Sequence, residues 1–264
     1  MLRKILLLPL LILTLIQLSC GGYNKLLKSA DNTEKFEAAV KYYHDGDYNR
    51  ALQLFDQLIP FYRGTDKAEM INYYTANSYY HQGDFILANY YFKTFTKNFP
   101  NSSLAEECLF MAAFCKYLDS PMYSLDQTST LEAIQEFQMF VNLYPASDRI
   151  PRVNQLMDEL RAKLEKKNYE IARLYYNMGE YQAAITSFRN VYKDFPDTKY
   201  REELLFLTLK AYIDFAANSV PSKKNERYRG ALEAYNTLLT FYPNTVYLKE
   251  AENLKKIALK EVEP

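Results

Sequence analysis

The stretch "GEYQAAITSFRNVYKDFP", residues 179 to 196, carries a pattern that the chain states five times. Ala184 is followed by Phe188 four residues on and by Pro196 twelve residues on. Ala88, Phe92 and Pro100 repeat it, as do Ala133, Phe137 and Pro145, and Ala231, Tyr235 and Pro243. Ala51 and Phe55 open a further copy in "GDYNRALQLFDQLIPFYRGT", where Arg63 replaces the proline. Such self-similarity marks stacked repeats, each unable to bury its apolar face alone.

The residues upstream repeat as well. Ala39, Ala76 and Ala172 each lie seven residues before a glycine: Gly46, Gly83 and Gly179. Paired tyrosines fall between, at Tyr42-Tyr43, Tyr79-Tyr80 and Tyr175-Tyr176. The unit therefore reads helix, glycine turn, helix, proline stop. Alanine lets two helices approach, the aromatic ring fills the gap beside it, and proline cannot continue the helix. This resembles the tetratricopeptide repeat. The spacing predicts an all-α fold, an α-solenoid of five such helix pairs with a capping helix over 246–260. Capping-box spacing at Asp31/Glu34, Asp66/Glu69, Ser103/Glu106 and Ser129/Glu132 predicts four helix starts.

Successive repeats are 37, 45, 51 and 47 residues apart, so the unit carries insertions. One is "LDSPMYSLDQTS", 118 to 129. Another is a long helix over 152–178 with Pro151 in its first turn. The third is "AANSVPSKKNERYRG", 216 to 230, in which "SKKNERYR" reads as a solvated loop.

Composition sets limits on function. Thirty-two basic and 32 acidic residues cancel, which speaks against a nucleic-acid partner. Twenty-five tyrosines and 16 phenylalanines without tryptophan point to large rings with polar tips. No glycine-rich phosphate loop or metal-ligand cluster stands out, so neither a catalytic role nor a metal or other cofactor is expected. Cys108 and Cys115, seven residues apart on a helix, are about 10 Å apart along its axis, too far for a disulfide, and read as small core residues.

The chain opens with a basic start, an apolar run from Ile5 to Ile16, and "QLSCGG". The run is shorter than the ~20 residues a transmembrane helix needs. It reads as a cleaved signal peptide, residues 1–19, ahead of a lipid-modified Cys20. Residues 20–32 then form a lipidated tether, 33–148 an N-terminal half of three repeats, and 149–264 a C-terminal half of two repeats and a cap.

In stacked helix pairs the first helices line a groove. Counting back from the glycine selects Phe36, Val40, Tyr43 and His44 in repeat one, and Tyr73, Asn77, Tyr80 and His81 in repeat two. In repeat four it selects Tyr169, Arg173, Tyr176 and Asn177. Rings with imidazole, amide and guanidinium donors suit an extended peptide. For the second tyrosine of each pair, groove and core are equally open readings. Both histidines read more readily as exposed residues beside turns.

"CGGYNKLLKS", "DSPMYSLDQTSTLEAIQEFQMFVNLYPASD" and "LRAKLEKKNYEIARLYYNMGEYQAAITSFRNVYKDFPDTKY" together resemble the BamD family, lipoprotein subunits of the outer-membrane β-barrel assembly machine. The interrupted third repeat is its most specific feature, and "CGGYNKLL" resembles the version found in the Bacteroidetes group. The resemblance implies a lipid-anchored protein on the periplasmic face of the outer membrane. It implies that the N-terminal repeats meet the C-terminal segment of unfolded β-barrel proteins. It also implies that the C-terminal repeats, with Tyr169, Arg173 and Tyr176, hold a periplasmic domain of BamA. A lipid-anchored ligand- or glycan-binding protein and a cell-envelope scaffold are the alternatives.

Overall fold

The computed structural model describes residues 22–262, and among these it is helical throughout, without a strand. The signal-peptide reading and Cys20 lie outside the described residues. The helices are α1 (Asn32–His44), α2 (Tyr48–Tyr62), α3 (Asp66–His81), α4 (Phe85–Asn98), α5 (Ala105–Asp119), α6 (Thr128–Leu143), α7 (Ile150–Asn177), α8 (Tyr181–Asp194), α9 (Arg201–Ala217), α10 (Pro221–Phe241) and α11 (Leu248–Glu261). They pair as the repeat demands, and the fold is tetratricopeptide-like. No described helix is long and apolar enough to cross a membrane.

Two compact units divide the chain. One runs through Pro121 and adds Thr128–Met157; the other takes Met122–Gln127 and continues from Asp158. The division thus falls inside α7, later than the 148/149 boundary that the repeat count suggests.

The repeated alanines and rings are the core. Ala39, Ala51, Ala76, Ala88, Ala133, Ala172, Ala184 and Ala231 are all fully buried, as are Phe55, Phe92, Phe137 and Phe188. At Gly46, Gly83 and Gly179 the backbone takes φ of 79°, 76° and 78°, where a side chain would be strained. The carbonyls of the paired tyrosines close each turn. Gly46 N–H donates to the Tyr43 carbonyl and Asp47 N–H to that of Tyr42; Gly83 and Asp84, and Gly179 and Glu180, repeat the arrangement. This is a Schellman closure, which satisfies carbonyls left free at a helix end. Asp47 and Asp84 also start the next helix, accepting from Arg50 N–H and Leu87 N–H.

Of the four expected capping boxes only one caps. Asp31 accepts from the N–H groups of Thr33 and Glu34. The helices read from Asp66, Ser103 and Ser129 instead start after Thr65, after Leu104 and at Thr128. Their glutamates are engaged across helices. Glu69 accepts from Ser102 Oγ at 2.6 Å and Glu106 from Ser147 Oγ at 2.6 Å. Glu132 pairs with Lys116 at 2.7 Å.

Two further segments differ from expectation. Residues 222–229 are not a loop: α9 runs to Ala217 and α10 begins at Pro221. Proline suits a first helical position, and Tyr228, Ala231, Tyr235 and Leu238 continue one buried stripe. Nor are residues 20–32 a plain tether, because 22–28 are helical. Leu26 and Leu27 pack on the core of the first repeat. The Tyr23 hydroxyl reaches the Arg50 carbonyl at 3.0 Å and the Gln53 side-chain oxygen at 3.1 Å.

Candidate functional site

The last turns of α1 and α3 carry a continuous set of rings. Tyr43 lies 4.5 Å from Tyr74 and 5.3 Å from His44, centroid to centroid. His81 stacks on Tyr48 at 5.0 Å and 11°. Tyr80 meets His81 at 5.4 Å and Phe85 at 6.0 Å. His44 and His81 are exposed, and Tyr43, Tyr48, Tyr74 and Tyr80 are half-buried. Burial, with Tyr48 and Tyr74 adjoining, pushes the Tyr43 phenol above its usual range, so its hydroxyl stays a donor at neutral pH. The surface offers ring faces, two imidazoles and phenolic hydroxyls.

Five of the seven expected groove residues therefore meet: Tyr43, His44, Tyr80 and His81, with Tyr73 edge to face on Tyr74 at 5.8 Å. Phe36 and Asn77 go elsewhere. Phe36 packs 6.0 Å from Tyr62 under the Lys67 ammonium. Tyr73 donates its hydroxyl to Glu107 at 2.9 Å, and desolvation together with that carboxylate holds the phenol well above its usual range. Asn77 is only 7% exposed, and its amide donates to the Tyr73 carbonyl of its own helix. On α3, which has α2, α4 and α1 against it, only Asn77 of the four counted positions is buried. Tyr48 and Tyr74 were not read from the sequence. Tyr74 lies one residue beyond the position counted back from Gly83.

In the second unit Tyr169 is 4% exposed and stacks on Tyr200 at 4.0 Å and 11°. It is a packing residue, not a surface one. Tyr176 is half-buried and donates to Asp214 at 2.7 Å. Arg173 alone of the three is exposed, its guanidinium 5.5 Å above the Tyr169 ring. Beside it run Ile171, Leu174, Tyr175 and Met178, between 39% and 64% exposed. Their i, i+3, i+4, i+7 spacing is that of one helix face, an exposed apolar stripe that the Ala172 register hides in the sequence.

Some polar links recur from repeat to repeat. The residue two after each repeat-ending proline is Ser102, Ser147, Thr198 or Thr245. Three donate to a glutamate of the preceding repeat: Ser102 to Glu69, Ser147 to Glu106, and Thr198 to Glu165 at 2.5 Å. In the fourth, Val246 N–H donates to Glu202 at 3.0 Å. The glutamate pairs thus divide. Glu106 and Glu202 reach forward, while Glu107 and Glu203 receive the hydroxyls of Tyr73 and Tyr169 behind them. These carboxylates are structural.

Cys108 and Cys115 are buried free thiols. Among the described residues no group of three His, Cys, Asp or Glu could hold a metal ion.

The family described as "Outer membrane lipoprotein", YfiO, matches residues 28–227. A chain from Aquifex aeolicus, provisionally named outer membrane protein assembly factor BamD, is 28% identical; the alignment covers 93% of this chain and 85% of that one. The outer membrane protein assembly factor BamD of Neisseria meningitidis is 24% identical over 88% of this chain and 89% of its own. That of Pasteurella multocida is 22% identical over 78% and 82%. Among solved structures, the TPR2AB domain of yeast Sti1 aligns with a TM-score of 0.41 at 14% identity, covering 86% of this chain and 98% of that one. With its helix pairs and the match over residues 28–227, this chain belongs to the YfiO family of outer membrane lipoproteins, the family of BamD.

Proposed function

We propose that this protein is an outer-membrane protein assembly factor of the BamD type, anchored through Cys20 on the periplasmic face and without catalysis of its own. The N-terminal unit receives the C-terminal segments of unfolded β-barrel proteins, and the C-terminal unit docks on a periplasmic domain of BamA. One observation carries the receptor role: the surface formed by Tyr43, Tyr74, Tyr80 and His81, with His44 and Tyr48 at its sides. Barrel strands alternate in side-chain direction, so an extended segment can lay its aromatic residues on these rings. Large rings supply contact area at low entropic cost.

The partner role rests on the exposed Arg173 and the stripe of Ile171, Leu174, Tyr175 and Met178. A contiguous exposed apolar surface of this kind marks a protein contact.

The test is a titration of the soluble chain beginning after Cys20 against a peptide ending in alternating aromatic residues. Tyr43→Ala with Tyr80→Ala is expected to weaken peptide binding with helicity unchanged, and His81→Ala to do so alone. Arg173→Glu is expected to spare the peptide and weaken capture of BamA. Normal peptide binding by the double variant would end the receptor reading. Loss of peptide binding in Arg173→Glu would end the division between the units.

A further inference from the structure

We infer that the helix at 22–28 is a rigid stem that sets the first repeat directly on the bilayer surface, with Lys25 and Lys28 over anionic lipid headgroups. The inference rests on the reading of Cys20 as the acylated residue. Its other premises come from the described chain.

First, the stem is fastened. Tyr23 meets Tyr42 edge to face at 5.5 Å, and the Arg50 guanidinium lies over both rings at 5.3 Å and 5.6 Å. The Tyr23 hydroxyl bonds α2, and Leu26 and Leu27 reach the repeat-one core. Hydrogen bonds, rings and apolar contacts all fix the same face of one short helix.

Second, the remaining chain is short. Cys20 stands two residues before Gly22, and two residues span at most about 7 Å in any conformation. The headgroup layer on each side of a bilayer is roughly 5–8 Å thick. A cysteine whose acyl chains lie in the hydrocarbon therefore places Gly22 among the headgroups or at their edge. Because the stem is fastened to α1 and α2, the first repeat follows it there.

Third, the charge is right. Asn24, Lys25 and Lys28 occupy the stem's exposed face, and neither lysine has an ion-pair partner among the described residues. Ammonium groups beside a lipid-anchored residue meet phosphate first, and juxtamembrane lysines are drawn to anionic surfaces.

The experiment uses the mature, acylated full chain in vesicles of phosphatidylethanolamine and phosphatidylglycerol, with a fluorophore on Asn49→Cys in α2 and a headgroup-attached quencher. The native thiols at Cys108 and Cys115 are buried and do not compete for label. Strong quenching is expected. Inserting about ten Gly/Ser residues between Gly21 and Gly22 adds roughly 17 Å of mean reach and is expected to reduce it about threefold or more. Tyr23→Ala, which leaves the anchor in place, is expected to act in the same direction and to release amide exchange in 22–28. Lys25→Glu with Lys28→Glu is expected to lower quenching only when phosphatidylglycerol is present. Weak quenching in the parent protein, or quenching unchanged by the insertion, overturns the stem. Unchanged quenching after charge reversal overturns the headgroup contact. Mass spectrometry of the same sample separates the premises. An unmodified Cys20 defeats the lipoprotein reading, whereas an acylated Cys20 with an unquenched label defeats only the stem.

Discussion

Ser147 donates its hydroxyl to Glu106 at 2.6 Å, joining positions 41 residues apart in the chain. The same oxygen accepts from Arg149 N–H at 3.1 Å, so one side chain both shapes the turn after Pro145 and grips the preceding repeat. Both residues are half-buried, where a carboxylate bond is screened less than on the surface. Ser147→Ala is expected to lower stability by about 1.5–3 kcal/mol, the range for a hydrogen bond to a charged group. Ser147→Thr should keep most of it. Chemical denaturation checks this, and a double-mutant cycle with Glu106→Gln should show clear coupling. Additive losses would mean that the bond contributes nothing.

Gly230 sits inside α10 without a turn to explain it. A Cβ there would stand 2.5 Å from the Tyr212 ring. Gly230→Ala gains helix propensity of about 1 kcal/mol. It also overpacks the α9–α10 contact, for which about 1–3 kcal/mol is usual. The net expectation is a lower melting temperature, with Tyr212→Ala in the same chain turning the alanine neutral or favourable. A higher melting temperature for the single variant would show that the ring moves aside freely.

Burial pushes the thiols of Cys108 and Cys115 up to about 12, from an ordinary 9.0. At pH 8 that leaves about a thousandfold less thiolate than in an exposed cysteine. Disulfide reagents are expected to modify neither residue in the folded protein and both in denaturant. The sign for stability follows. As pH rises from about 9 toward 12, unfolded thiols lose protons that folded ones keep, so the two sites make the fold less stable with rising pH. Rapid labelling at pH 8 without denaturant would show that α5 opens locally.

The repeat was legible because its alanines and rings serve the core, and core packing imposes strict spacing. Ala184 and Phe188 could be read from sequence alone, and both are fully buried. Features that depend on what lies across a repeat boundary were not legible. Glu69, three residues after Asp66, fits a capping box in sequence, yet its partner is Ser102, 33 residues away. Asn77 and Val40 share a repeat position. Asn77 is buried and Val40 only half-buried, and a residue's own sequence does not report its neighbours. Tyr74 escaped for the opposite reason: it stands off the counted positions and still reaches Tyr43. The helical start of α10 was written in Pro221 and in the stripe from Tyr228 to Leu238, but the charge of "SKKNERYR" hides it.

The divided glutamates of α5 carry a consequence for how such chains can change over time. Glu106 is committed to the repeat ahead through Ser147, and Glu107 to the repeat behind through Tyr73. The same two links recur at Glu202 and Glu203, so exchange of whole repeats in register keeps a partner for each group, whereas an insertion or deletion that breaks the register strands a half-buried acid or phenol. The segment between Ser120 and Gln127 is tied to α7 as well: Lys167 donates to the Leu125 carbonyl at 2.5 Å, and the Lys166 ammonium lies 4.3 Å over the Tyr123 ring. A change of length there breaks these ties too. That is where this chain carries "PMYSLDQ", so related chains are expected to keep the length of that segment as they keep the register of their repeats.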